Sequence, residues 1–272
     1  MSAGGAREQR VTQPATEAPG PNIGHGAGHD QIALGNPSYV WRYGQERRLE
    51  MVRRFLPLEG ARVLDIGCGL GAYVRRFSAF TDRACGIDID APRVRQGVRS
   101  GLGGLCVGVS EALPFRDGAF DGVLLNEVIE HVQNDRETLR EALRVTRPGG
   151  RVLIFAPNRF YPFETHGVYL GKRYVFGNIP LVNYLPDALR GRLVPHARAY
   201  TRRRLETITK GLPARWIEWT VVYPGFDNVV ARRPALGEAL RKVAYSLEQT
   251  PLRRLGLSHF LVLERTRLGE RG

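Results

Sequence analysis

The chain has 272 residues, 43% of them apolar and 25% charged, an ordinary globular composition. No apolar run approaches the roughly 20 residues needed to cross a bilayer, and the N-terminus lacks the basic and apolar regions of a secretory signal, so a cytoplasmic location is expected. The net charge of +13 is uneven: residues 151–272 hold 21 basic and 9 acidic side chains, against 19 and 18 in residues 1–150. That imbalance either reflects a solvated basic face or marks a half that meets something anionic.

Residues 1–35, rich in Gly, Ala, Pro, Gln and Thr without apolar periodicity, read as a disordered leader. Residues 36–272 read as one domain. "GQERRLEMVRRFLP" places Leu49, Val52 and Leu56 on one helical face. Strands and helices then alternate. "ARVLDIG", "RACGIDID", "GLCVGVS", "FDGVLLNEV" and "RVLIFAPN" read as strands. "LGAYVRRFSAF", "APRVRQGVRSG" and "NDRETLREALRVTRPGG" read as helices, the last capped by Asn134 and stopped by Pro148-Gly149-Gly150. The pattern predicts an α/β, doubly wound, mostly parallel sheet over residues 45–158. Residues 159–212, rich in aromatics, glycine and proline, form an insertion after the fifth strand, far longer than a typical connection and expected to carry short helices. Residues 213–272 return to a strand in "ARWIEWTVVYP", a helix near Pro234–Glu248 and a closing strand, "SHFLVLER".

The stretch "VLDIGCGLG" sits at the first strand–loop–helix junction, where glycines admit positive φ and let a ligand approach the backbone. The loose dinucleotide pattern fits it, but Asp65, inside the strand end, would repel a pyrophosphate. It suits a cationic amino group instead. Asp88, 23 residues further on, can accept from both hydroxyls of a ribose. Cys68, Cys85 and Cys106 lack metal-ligand spacing and read as packing residues, and no metal is expected.

Four ordered segments, "VLDIGCGLG", "GIDID", "EALPFRDGAFDGVLLNEVIEHV" and "RVTRPGGRVLIFAPN", resemble the class I S-adenosylmethionine-dependent methyltransferases of the small-molecule group. The resemblance implies a seven-stranded Rossmann-like sheet and S-adenosyl-L-methionine as cofactor. It implies that Gly67, Gly69 and Gly71 shape the loop beside the methionine moiety, with Asp65 organising it. Asp88 would take the ribose with Ile89 beside it, and Ser110, Glu111 and Ala112 would lie along the adenine. Asn126 and Glu127 would face the methyl-donor pocket. One departure stands out: where many relatives carry an aspartate for the adenine amino group, this chain has Val109, and Glu111 or a backbone carbonyl is left to substitute.

A sulfonium methyl group carries its own activation, so the protein mainly aligns an acceptor. Should the acceptor need a base, "PFETHG" supplies His166, with an ordinary pKa near 6.5, and Glu164 to orient it or act alone; both residues can equally serve the fold of the insertion. His196 is a second candidate. Glu130 and His131 read as stabilising the turn after the fourth strand. The expected acceptor is an oxygen or nitrogen of a small molecule, anionic or lipid-like, lodged beneath the insertion as pocket or lid. Lys172, Arg173, Arg190, Arg192, Arg198 and Arg202 to Arg204 suggest a carboxylate, a phosphate or an anionic membrane surface. A nucleic-acid substrate is not favoured, since "NEVIEH" lacks the Asn/Asp-Pro-Pro-aromatic motif of base-amino methyltransferases. A cofactor-binding regulator without turnover stays open, as does the oligomeric state.

Overall fold

Along the central strands the pleat sends alternate side chains to opposite faces. Leu64, Ile66, Val123, Leu125, Val152 and Ile154 enter one core cluster; Val63, Leu124, Leu153 and Phe155 enter another. A sheet apolar on both faces needs helices on both, and the computed structural model, which describes residues 42–267, has them. The expected leader, residues 1–35, lies outside the described residues.

The elements run α1 (Tyr43–Phe55), β1 (Val63–Ile66), α2 (Ala72–Phe77), β2 (Ala84–Asp88), α3 (Ala91–Arg99), β3 (Leu105–Val107), β4 (Phe120–Asn126), α4 (Asp135–Val145) and β5 (Thr146–Pro157). After the insertion come α6 (Arg202–Thr209), β10 (Ala214–Val222), α7 (Asp227–Arg232), α8 (Pro234–Leu247) and β11 (Ser258–Arg265). Seven strands form one sheet in the order β10-β11-β5-β4-β1-β2-β3. β11 is antiparallel to both β5 and β10, and the other pairings are parallel. Leu139, Leu143, Leu205 and Ile208 from α4 and α6 cover one face, and Leu49, Val52, Tyr73 and Phe77 from α1 and α2 cover the other. Phe155 and Phe260 stack at 4.7 Å between ring centroids across β5 and β11; each such buried side chain contributes about 2–3 kcal/mol.

Two expectations shift. The Pro148-Gly149-Gly150 stop acts early. A residue before proline is driven out of the α region, so α4 ends at Val145 and β5 already begins at Thr146, paired with Phe120. The insertion expected to carry short helices builds sheet as well. β6 (Phe163–Glu164) pairs with β9 (Ile179–Pro180), and β7 (Val168–Leu170) with β8 (Arg173–Val175); α5 (Asp187–Leu193) follows. This segment has a small core of its own in Val168, Val182, Val194 and Ala197.

The strand order reverses between β1 and β4, the point beyond whose carboxyl ends an open α/β sheet leaves a crevice. Asp65, near the end of β1, and Asn126, the last residue of β4, both face that crevice.

Candidate active site

A cavity of about 1270 Å³ occupies the crevice. A drug-sized ligand needs roughly 300–1,000 Å³, so it has room for two molecules side by side. One half is walled by Asp65, Gly67, Gly69, Asp88, Ile89 and Ser110; the other by Tyr161, Phe163, His166, Tyr174, Phe176 and Tyr223.

The first half is built on backbone. Gly67, Gly69 and Gly71 have φ of 72°, 54° and 80°, and a Cβ on Gly67 would stand 2.4 Å from Val128 Cγ2. The Gly69 amide donates to Asp88 Oδ2 at 2.7 Å, and the Asp90 amide donates to Asp88 Oδ1 at 2.8 Å. Asp88 therefore ties the loop to β2 while lining the cavity. Asp65 is buried, and burial together with the neighbouring Asp88 charge pushes its carboxyl well above the usual range. A cation placed there would relieve both effects. This donor set fits a cofactor carrying an ammonium, a sulfonium and a ribose.

Other expected contacts divide. Ile89 and Val109 present exposed apolar side chains to the cavity. Ser110 lines it too, but its hydroxyl bonds to Glu111 Oε2 at 3.0 Å. Glu111 lines the cavity as well, and its Oε1 accepts from the Gln133 and Asn134 amides at 3.0 and 3.3 Å, so this carboxylate also secures the turn before α4. Ala112 is exposed and off the cavity wall. Gly71 is also off the wall: a Cβ there would meet Leu102 at 2.2 Å, so its role is close packing behind the loop.

Sequence reasoning missed Arg48. From α1 it donates to Asn126 Oδ1 at 2.7 Å, to Glu127 Oε1 at 2.8 Å and to Ser258 Oγ at 2.8 Å, joining the ends of β4 and β11. The available signal was its position four residues before Val52, an arginine on the buried face of the helix.

The second half holds a histidine cluster. His166 Nδ1 donates to Glu164 Oε1 at 2.9 Å, and Arg190 donates to Glu164 Oε2 at 2.6 Å. Glu164 is buried and off the cavity wall, so it positions His166 and has no access of its own to an acceptor. Burial acts against its ionised form, yet the His166 and Arg190 partners bring its pKa down to about 2. His166 Nε2 lies 3.8 Å from Glu130 Oε1. Burial opposes the His166 charge, but the Glu130 and Glu164 carboxylates outweigh it and hold its pKa well above the ordinary value. These carboxylates favour the protonated ring, which makes His166 less available as a base than its ordinary value suggested.

Glu130 does not stabilise its turn through its side chain, as had been expected. Its carboxylate is fully buried and neither oxygen has a hydrogen-bond partner. His131 Nδ1 donates to the His196 carbonyl at 3.0 Å, which leaves Nε2 toward Glu130 at 3.9 Å. Burial and the His166 charge bring His131 down to about 4. His196 Nε2 in turn donates to the His166 carbonyl at 3.0 Å.

None of the eight basic residues expected to greet an anionic acceptor lines the cavity. Arg190 is buried on Glu164, Arg198 donates to the Val132 and Gln133 carbonyls, and Arg202 pairs with Glu206.

The methyltransferase domain family matches residues 64–154. An uncharacterized methyltransferase of Mycobacterium sp. strain KMS is 30% identical over 196 residues, which covers 65% of this chain and 75% of that protein. The chain belongs to the S-adenosylmethionine-dependent methyltransferases. It is an enzyme of this class with S-adenosylmethionine as cofactor. The ubiquinone biosynthesis O-methyltransferase of Chromobacterium violaceum is 28% identical over 161 residues, 55% of this chain and 69% of that one. Among solved structures, an S-adenosylmethionine-dependent methyltransferase from Mesorhizobium loti has a TM-score of 0.56 at 15% identity, covering 79% of this chain and 96% of that chain, a likeness of fold. Among the described residues, no helix of this methyltransferase is long and apolar enough to cross a membrane.

Proposed function

We propose that this methyltransferase moves the cofactor's methyl group to an oxygen or nitrogen of a small, lipid-like molecule held beneath residues 159–212, in a cytoplasmic setting. The observation that carries the reading is that the glycine loop with Asp65 and Asp88 opens into the same cavity as the aromatic side chains of the insertion. When bound, S-adenosylmethionine supplies an electrophilic methyl group on a good leaving group.

The chain's own residues would then act as follows. Asp65 holds the amino group, Asp88 meets the ribose while keeping its hold on the loop, and Ile89 and Val109 sandwich the adenine. Asn126 and Glu127, fixed by Arg48, floor the transfer zone. Tyr161, Phe163 and Tyr174 wall the acceptor and exclude water, which favours in-line alignment. His166, on the wall of the acceptor half, is the catalytic candidate by position, and Glu164 is its positioning residue.

The aromatic side chains of Tyr161, Phe163, Tyr174, Phe176 and Tyr223 on the wall favour an apolar acceptor, while the arginines that reach the cavity, Arg42, Arg47, Arg48 and Arg93, are bonded to Asn228, Glu248, Glu127 and Asp90. The ubiquinone name of the Chromobacterium relative supports the same class. Leu170, Phe176 and Leu181 are exposed close in sequence to Lys172 and Arg173, a pairing that suits delivery from an anionic lipid surface.

The test is transfer from methyl-labelled cofactor in a cell extract, with the product divided into organic-extractable and nuclease-sensitive fractions. Label in the organic fraction supports the reading. Label lost to nuclease would make RNA the substrate and the basic C-terminal half its binding face. Binding of the cofactor without transfer to any fraction would indicate a regulator.

A further inference from the structure

The least explained group in the molecule is Glu130. Both its oxygens are buried without a hydrogen bond, and the nearest imidazole nitrogen, His166 Nε2, stands 3.8 Å away, beyond hydrogen-bond reach, so the carboxylate's coordination is incomplete. Its neighbours are two imidazoles. One ligand atom each from Glu130, His131 and His166 lies within 4.8 Å of the others, with Glu130 Oε1 3.9 Å from His131 Nε2 and 3.8 Å from His166 Nε2.

Both rings are oriented from behind. His131 Nδ1 is committed to the His196 carbonyl and His166 Nδ1 to Glu164, itself held by Arg190. Metal-ligating histidines are fixed in this way, the second nitrogen bonded to a carbonyl or carboxylate so that Nε2 points at the ion. The site joins the segment after β4 to the one after β6, with His131 and His166 separated by 35 positions in sequence. Arg198 and Tyr200 lock it: the Arg198 amide donates to the Glu130 carbonyl at 3.1 Å and Tyr200 Oη to the Ile129 carbonyl at 2.8 Å. Both histidines also line the cavity, so one side of the cluster is open to a ligand.

We propose that Glu130, His131 and His166 bind one divalent first-row transition-metal cation, with its open coordination positions facing the acceptor half of the cavity. Two imidazoles and a carboxylate suit zinc, iron or manganese better than magnesium, which prefers an all-oxygen shell. A cation about 2.1 Å from each ligand asks for ligand atoms about 3.3 Å apart. The two Glu130 spacings, 3.8 and 3.9 Å, must therefore close by about half an ångström, and the two imidazoles, within 4.8 Å of each other, must draw together by side-chain rotation. Binding takes the His166 proton away. An acceptor oxygen on an open position would then be held beside the transferring methyl group; this use of the ion rests on the methyl-transfer reading, whereas its binding does not.

The test adds Co²⁺ alone to metal-free full-length protein and follows the visible d–d absorbance. The expected result is a band that saturates at one ion per chain. Glu130→Gln and His131→Asn should each weaken it about 10- to 100-fold, and Glu164→Gln, behind His166, about 10-fold. S-adenosylhomocysteine titration and thermal melting check that each variant is folded. No band with the wild-type protein, or a band of unchanged affinity in folded Glu130→Gln and His131→Asn, overturns the site. Metal binding with no methyl transfer to any fraction would leave the site standing and remove the proposed function.

Discussion

The guanidinium of Arg48 donates to Glu127 Oε1 at 2.8 Å, and Glu127 holds a left-handed backbone with φ of 56°. A non-glycine residue in that region carries about 1–3 kcal/mol of strain, so something must hold it there. The same guanidinium bonds to Asn126 and Ser258 and lies over the Phe155 ring at 4.7 Å. Lysine has the charge but not the planar fork. Arg48→Lys is expected to lower stability by about 1–2 kcal/mol in urea unfolding and to weaken cofactor binding about tenfold, a change of ~1.4 kcal/mol. No change in either measurement would reduce Arg48 to an ordinary surface ion pair.

Asp65 supports the opposite sign of stability change. Burial and Asp88 raise its pKa on folding, so the folded chain holds the proton more tightly than the unfolded chain. That contribution is fully present below the unfolded value and is lost as pH rises through the folded one. Asparagine has no such proton to lose. Cofactor-free Asp65→Asn should therefore melt above wild type at pH 7 and close to it at pH 3, by about 2–4 °C per kcal/mol in a domain of this size. A lower melting point at pH 7 would mean that the carboxylate has a partner in the cofactor-free protein.

At the far end of β4, Asp121 ties the sheet together. Arg62, ahead of β1, donates to it through its amide at 2.8 Å and its guanidinium at 3.1 Å, and Arg147, in β5, donates at 2.7 Å. Burial opposes the charge, but these partners hold the Asp121 carboxyl well below the usual range. This stability is present above the unfolded pKa and is lost as pH falls through the folded one. Asp121→Asn should cost about 1 kcal/mol near pH 7 and progressively less in acid. Cofactor affinity should stay as in wild type, because Asn126 and the cavity lie at the other end of the strand. A loss of affinity would show that the two ends are coupled.

How far the sequence discloses this molecule follows from the range over which its signals act. β1, β4, β5 and β11 were legible because burial on both faces writes continuous apolar runs, and Asn134 announced the start of α4. The glycine loop and Asp88 were legible because their requirements are local. Arg48 was not, since its partners lie 78, 79 and 210 residues away. The two hairpin-like pairs of the insertion were hidden in segments of two or three residues, too short for any periodicity to show. The Glu130, His131 and His166 cluster exists only after β4 and β5 align side by side.

Arg190 holds the insertion around that cluster. It is buried and donates to Glu164, Asn183 and the Ala197 carbonyl. Arg190→Met would leave the Glu164 carboxylate with His166 as its remaining cation and strip the Asn183 and Ala197 acceptors of their donor, a change that costs about 1–3 kcal/mol. The loss should be local. Hydrogen exchange is expected to quicken across residues 163–200 while β1, β4 and β5 keep their protection. Equal loss of protection throughout would show that the insertion and the sheet unfold as one unit.

The central claim, that the glycine loop with Asp65 and Asp88 holds the cofactor, is tested most directly by calorimetric titration of S-adenosylhomocysteine into wild-type protein and Asp65→Asn. The account predicts saturable binding at one site per chain for the wild type, and at least about tenfold weaker binding for the variant despite its higher melting point. No binding to the folded wild type, or equal affinity in the two proteins, would contradict it.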